Sequence, residues 1–424
     1  MQNPNLTSMP SPSPHSRVNR WAIAVAGVII QIALGAVYAW SVFRIPLTRA
    51  YGWSISQVTF AFTLAILTLG FASFVGGLWM RRSGPRRVAI VAGIFYGAGI
   101  FLASFSAGHL YWLYFTYGIL AGTGLGLGYI VPVATLVKWF PDKRGMITGI
   151  AVAGFGAGAL ITAPIASRLI VSVGAMRTFA ILGVIYFIAV TIPALFMQDP
   201  PPDYRPAGWT PSATQQRQRS SRTYTLGEAM RTWQWYALWA LLFLNTSAGI
   251  SIISHAAPMA QETTDVSAAA AGLVGIISIA NGAGRFLWAW FSDLIGRRWV
   301  FLSMFLMQAI LFFTLPRIAA FPAFTVMCFA ILLCYGGGFG TMPAFAADYF
   351  GAENVGAIYG LMLTAWGFAG VFGPMLIANI RQSTGRYSHA LTVIGMVMLC
   401  SAVIPLLVHP PYTHREAIEM PRAA

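Results

Sequence analysis

Charge is what this sequence has least of. Of 424 residues only 9% are Asp, Glu, Lys or Arg, where a water-facing domain carries about a quarter. So little charge cannot cover a solvated surface, and a soluble fold is excluded. Acid is scarcer still: 11 Asp and Glu stand against 26 Lys and Arg, a net charge of +15. In a soluble chain that balance would point to nucleic acid. Here the basic residues sit at the ends of apolar runs, the placement that sets membrane orientation, so no nucleic-acid partner is expected. Cysteine is nearly missing. Cys328, Cys334 and Cys400 each lie in an apolar stretch and read as small core residues, which excludes a disulfide framework. No metal-ligand spacing is present either, so neither metal nor cofactor is expected. Period-two alternation is also lacking, which argues against a membrane β-barrel.

What the chain has in quantity is long apolar runs, with 57% hydrophobic residues. Segments of about 20 residues recur throughout, long enough to cross a hydrocarbon core as helices. Twelve spans begin near Trp21, Ile55, Val88, Leu110, Gly145, Ala175, Trp233, Ala268, Trp299, Phe321, Gly356 and His389. The first follows a polar leader, Met1 to Arg20, and is too long and too late for a cleaved signal peptide. A Pro-, Ser-, Gln- and Arg-rich stretch, QDPPPDYRPAGWTPSATQQRQRSSRTYTLGEAMRT, separates the sixth span from the seventh. The expected organisation is a cytoplasmic leader (1–20), a six-helix half (21–198), a cytoplasmic linker (199–231), a second six-helix half (232–409) and a cytoplasmic tail (410–424). With both termini cytoplasmic, 18 of the 26 basic residues fall on that side and seven on the other. The asymmetry favours this orientation. The one basic residue left over, Arg285, stands well inside the eighth span.

The halves repeat. SGPRRV at Ser83 recurs as IGRRWV at Ile295, and YIVPVATLVKWF at Tyr129 recurs as FGTMPAFAADYF at Phe339, at an offset near 211 residues. Two six-helix units related by a pseudo-twofold along the membrane normal are one plan of secondary transporters. The loop SDLIGRR, with Asp293, Gly296, Arg297 and Arg298, resembles the cytoplasmic gating signature of the major facilitator superfamily. Its first-half counterpart, GGLWMRRSGPRR, departs from the pattern by carrying Arg81 where that signature has an acid. Within the superfamily, NRWAIAVAGVIIQIALGAVYAWSVF, KWFPDKRGMITGIAVAGFGAG and MRTWQWYALW are similar to the oxalate–formate antiporter family, itself related to monocarboxylate–proton symporters. The resemblance covers Trp21 to His409. It implies an all-α polytopic protein of 12 transmembrane helices, working as a monomer in the inner membrane of a bacterium.

Arg285 carries the functional argument. A guanidinium at membrane depth costs about 2.5–3.5 kcal/mol even on mild scales, and all 11 acids fall in loops, linker or helix ends. A partner arriving from solution, an anionic substrate, answers the cost, because a planar guanidinium donates two parallel hydrogen bonds to a carboxylate. The alternative is a side chain that snorkels or bonds backbone carbonyls. Asn281, four residues earlier, shares a helix face with Arg285 and either contacts substrate or orients the arginine; the monocarboxylate family carries an acid at the matching place. The resemblance further implies that Tyr38, Tyr129, Phe155, Tyr335 and Phe339 line a cavity. Trp366 stands where it places a lysine, and one cation beside an indole suits a monoanion better than a dianion. His255 is the candidate for a coupling proton, or else a histidine at the helix mouth.

These readings converge on a transporter of a lactate- or pyruvate-like monocarboxylate, with a proton as the coupled ion. An oxalate:formate-type exchanger is the runner-up. A membrane enzyme would need a nucleophile with a base, or clustered acids and histidines at depth, which the chain lacks. The Gly-rich runs AGTGLGLGYIVP and YGGGFGTMP follow no strand and read as close-packing faces rather than nucleotide loops.

Overall fold

The computed structural model describes residues 19–202, 204–206, 208–210, 222–264 and 270–411. The leader through residue 18, the middle of the linker and the tail from 412 lie outside them. Within the described residues the chain is helical, and the helices follow the apolar runs. They are α1 (Arg20–Tyr51), α2 and α3 within the continuous stretch Ile55–Ala103, α4 (Leu110–Trp139), α5 (Arg144–Val173) and α6 (Ala175–Ala194). After the linker come α7 (Trp233–Thr264) and α8 (Ala270–Ile295). The last four are α9 (Arg297–Arg317), α10 (Phe321–Phe350), α11 (Val355–Thr384) and α12 (Tyr387–Leu407).

Local chemistry explains the breaks. The Asn19 side chain accepts from the Trp21 amide and opens α1, and Ser54 with Gln57 forms a capping box before α2. Such caps satisfy amide groups that the first helical turn leaves unpaired. Between α2 and α3 the chain turns at Gly84, whose φ of 75° suits glycine, and Pro85 then starts α3. The matching break between α8 and α9 is at Gly296, φ 99°. A short helix, Leu226–Met230, ends the linker with a second capping box from Thr225 and Glu228. The Thr225 amide and hydroxyl hold the Glu228 carboxyl below its usual carboxylate range.

Small residues decide which helices touch. The first six and last six helices meet along two seams, α5 against α8 and α2 against α11, and glycines permit both approaches. A Cβ at Gly145 would lie 2.2 Å from the Ala289 carbonyl oxygen, and one at Gly149 2.8 Å from that of Arg285. On the other seam a Cβ at Gly77 would lie 2.1 Å from the Gly356 oxygen, and one at Gly360 2.7 Å from the Ser73 oxygen. Gly149 and Gly360 therefore play the same part, as the sequence repeat implies. Within the first six helices, Gly35 lets α1 lie against the Phe155 carbonyl, 1.9 Å from where a Cβ would sit.

Apolar side chains face outward in number, among them Phe60, Phe71, Leu160 and Val403. That is the pattern of a surface solvated by lipid rather than water. One expectation is corrected here. Cys328 and Cys334 are buried, but Cys400 is exposed on α12. It shares a face with exposed Met396, Leu399 and Val403, the i, i+3, i+4, i+7 stripe of a peripheral helix. Because the α2–α11 seam has no room for a methyl group, Gly77→Ala is expected to cost about 1–3 kcal/mol. Thermal unfolding in detergent should start earlier than in the parent, and a superimposable melting curve would show that the seam is slack.

Candidate functional site: a caged arginine

Arg285 lies on α8 facing the other helices and is 1% exposed. Two glycines of α10 make room for its backbone. A Cβ at Gly336 would meet the Asn281 carbonyl oxygen at 2.0 Å, and one at Gly340 would meet that of Arg285 at 1.9 Å. The guanidinium is only partly satisfied. Its Nε donates to Asn281 Oδ1 at 3.2 Å and its Nη1 to the Val152 carbonyl at a long 3.4 Å, whereas Nη2 has no hydrogen-bond partner. None of the acids among the described residues pairs with it. Asn281 thus orients the arginine through Nε, the α-helical i, i+4 contact that the spacing indicated.

Around this group the six aromatic residues singled out from the sequence stand together. Phe155 and Phe339 place their rings 5.6 Å and 5.0 Å from the guanidinium carbon. Tyr129 and Tyr38 meet Phe155 edge-on at 5.2 Å and 5.3 Å, and Tyr38 reaches Trp366 at 6.3 Å. Trp366 in turn packs on Phe339 at 5.2 Å, and Phe339 on Tyr335 at 5.3 Å. The chain of rings is continuous from α4 through α5 and α1 to α11 and α10. Both sets of six helices contribute to it. The Tyr38, Tyr129 and Tyr335 hydroxyls are electrostatic neighbours of Arg285. Arg285, Tyr129, Phe155 and Phe339 are all buried, and charges attract more strongly in such a low-dielectric setting than at a surface.

Two residues of this cage escaped the sequence reading. Tyr359 is fully buried, with an unpartnered hydroxyl, and Gln31 donates from Nε2 to the Tyr129 carbonyl at 3.1 Å while its Oε1 is left unpaired. The signal was available. Tyr359 precedes Trp366 by seven residues and Gln31 precedes Tyr38 by seven, two helical turns and so the same face. A third support lies behind α10. Asn245 Nδ2 donates to the Cys334 and Tyr335 carbonyls at 3.2 Å and 3.3 Å, and Gln308 donates to Asn245 Oδ1 at 2.8 Å. These buried amides brace the glycine-rich turn that carries Tyr335 and Phe339. His255 is placed apart from the cage: its Nε2 meets the Pro374 carbonyl of α11 at 3.3 Å and its ring lies 5.8 Å from that of Tyr387.

At the end of the molecule that holds Arg20, the SDLIGRR loop joins a buried network. The two carboxylate oxygens of Asp293 accept from the Gly145 and Met146 amides, at 3.0 Å and 2.8 Å, and so cap the start of α5. Arg297 pairs with Asp293 at 2.6 Å and with Asp348 at 3.0 Å, and Arg144 pairs with Asp348 at 2.8 Å. The network ties α5 to α8 and α10, below the cage. Gly296 supplies the turn, and Arg298 lies outside the network, stacked over Trp299 at 4.8 Å.

Known proteins resemble this chain along most of its length. A profile of the Major Facilitator Superfamily matches residues 23–374 and 238–422. The chain is 32% identical over 372 residues to the uncharacterized MFS-type transporter YhjX of Escherichia coli K12, covering 85% of this chain and 88% of that one. It is 28% identical over 401 residues to the oxalate:formate antiporter of Oxalobacter formigenes, covering 92% and 93% of the two chains. It is 23% identical over 486 residues to the apicoplast pyruvate carrier 1 of Toxoplasma gondii, covering 90% and 86%. Among solved structures, FucP in the outward conformation superposes with a TM-score of 0.68 at 14% identity, covering 91% of this chain and 97% of that one, a likeness of fold.

An unpaired buried cation weakens the protein that holds it. Replacing Arg285 by the similarly sized Met should raise the ligand-free melting temperature, since exchanging a buried charge for apolar volume gains about 1–4 kcal/mol. The same change should abolish any stabilisation by added carboxylates. An Arg285→Met protein that melts earlier than the parent would mean that the guanidinium is already satisfied.

Proposed function

This chain belongs to the major facilitator superfamily, and we propose that it carries a small monocarboxylate of the lactate or pyruvate kind by alternating access, with Arg285 pairing the carboxylate. It is a multi-pass membrane transporter and not an enzyme; substrate and coupling are the proposal. One observation carries it, the unpartnered Nη2 of Arg285, with which no acid among the described residues pairs. Nη2 and the neighbouring Tyr38 and Tyr129 hydroxyls are donors of the kind that a carboxylate accepts from. Charge count narrows the class. With Trp366 in the place of a second cation, the cage neutralises one negative charge, and a dianion would keep a charge unpaired in a dry site. The similarity to an oxalate:formate antiporter and to a pyruvate carrier supports the substrate class.

The remaining assignments follow from the same picture. The two six-helix units, residues 21–198 and 232–409 joined by the linker 199–231, rock about the two glycine seams. Asp293, Gly296, Arg297 and Arg298 form the gating loop, and the ion pairs of the first and third of these hold the cytoplasmic end shut until substrate shifts the balance. A proton accompanies the anion because moving one negative charge against an inside-negative potential costs about 2.3 kcal/mol per 100 mV. It rides on His255 at the mouth or on the substrate itself. The protein works as a monomer in a bacterial inner membrane. The second reading, exchange of organic anions, is favoured by the 28% identity to the oxalate:formate antiporter.

Radiolabelled lactate uptake into proteoliposomes separates the two readings. An inward proton gradient should drive accumulation, and Arg285→Lys, which keeps the charge but loses the fork, should reduce uptake at low substrate by about ten-fold or more. Uptake indifferent to protons but dependent on internal oxalate or formate would instead identify the exchanger. A second test concerns Asn281→Asp, which puts a carboxylate where an amide oxygen now lies 3.2 Å from Nε. When ionised, that acid occupies the guanidinium; when protonated, it releases it. Anion binding by the variant should therefore strengthen more steeply as pH falls than that of the parent, and superimposable pH profiles would contradict the pairing.

A further inference from the structure

The end of α2 carries charge that the transport cycle described above does not use. Arg81 and Arg82 close α2 and Arg86 and Arg87 open α3 across the turn at Gly84, so four exposed guanidiniums fall within seven residues. None of the four has an ion-pair partner among the described residues. The matching turn at Gly296 is treated in the opposite way, with Arg297 buried against Asp293 and Asp348. Where that turn has an acid, this one has Arg81.

Beside Arg81 and Arg82 lies a cleft of about 540 Å³, lined among the described residues also by Val75, Leu78 and Trp79. Val75, Leu78, Trp79 and Arg82 are spaced i, i+3, i+4, i+7, a single helix face that is apolar for two turns and then cationic. Val75 and Leu78 are 55% and 40% exposed. We propose that this cleft binds an anionic phospholipid, with its phosphate on Arg81 and Arg82 and an acyl chain along Val75, Leu78 and Trp79. The apolar face matches hydrocarbon, a tryptophan marks the level of the headgroups, and guanidinium groups hold phosphate oxygens in pairs. A cluster of arginines at the end of a spanning helix attracts anionic lipid on electrostatic grounds. Arg81 also lines a cavity of about 260 Å³ between α2 and α11, together with Lys138, Asp199, Glu353 and Asn354. A phosphate on Arg81 is therefore felt at the α2–α11 seam.

This site stands whether or not the cargo is a monocarboxylate, because its test needs no transport. Native mass spectrometry of the full chain would compare adducts of phosphatidylglycerol, phosphatidylcholine and inorganic phosphate. Phosphatidylglycerol should be retained at least about five-fold more than phosphatidylcholine, the effect of one arginine near an anionic headgroup. The double variant Arg81→Gln, Arg82→Gln should lose that preference while eluting as a folded monomer. Arg231→Gln, which removes an exposed cation at the same end, should keep it. Equal retention of the two lipids by the parent, or an undiminished preference in the double variant, would overturn the assignment. Displacement of phosphatidylglycerol by inorganic phosphate would do so too, by making this a soluble-anion site.

Discussion

A guanidinium held at membrane depth with one nitrogen unpaired governs the arrangement around it. The partial satisfaction of Arg285, by the Asn281 amide oxygen and one long backbone contact, is enough to hold the side chain in place and too little to neutralise it. Surrounding rings then serve two purposes. The faces of Phe155 and Phe339 stabilise the cation through their quadrupoles, and the whole ring chain keeps water away, which magnifies any later contact with an anion. If the proposed carboxylate binds there, the site is weakly stable without it and strongly stable with it. That difference in free energy is what a carrier needs in order to respond to its cargo.

The glycine seams connect the site to motion. Gly149 lies against the Arg285 carbonyl and Gly360 against that of Ser73, so each seam brings backbone close to backbone. Such surfaces slide or tilt without repacking a core. The ion pairs at the cytoplasmic end give the opposite character, a discrete set of contacts that is either made or broken. Asp348 is shared by Arg144 and Arg297, and Asp293 by Arg297 and the start of α5. Breaking any one of these leaves its partners buried and under-satisfied.

Much of this was legible in the sequence, for physical reasons that differ by residue. The spans were legible because a bilayer demands about 20 apolar residues per crossing, whatever the protein does. Arg285 stood out because charge at depth is rare, and the ring residues could be assigned through family resemblance. Tyr359 and Gln31 were passed over although they share helix faces with Trp366 and Tyr38, because in a chain with 57% hydrophobic residues one more tyrosine carries little signal. Asn245 and Gln308 were illegible for another reason. Their role is to donate to a backbone turn and to each other, and a hydrogen bond across three helices leaves no trace in local spacing. Cys400 misled because an apolar stretch in a membrane chain has two apolar environments, protein and lipid, and composition cannot tell them apart.

The proposed transport turns on an anion pairing with Nη2 of Arg285. The most direct test is an experimental structure of the full chain in lipid with saturating lactate. The account predicts a carboxylate within hydrogen-bond distance of Nη2, with the lactate body enclosed by Phe155, Phe339 and Trp366. A carboxylate bound elsewhere, with Nη2 bonded only to backbone carbonyls, would contradict it and return Arg285 to a structural role.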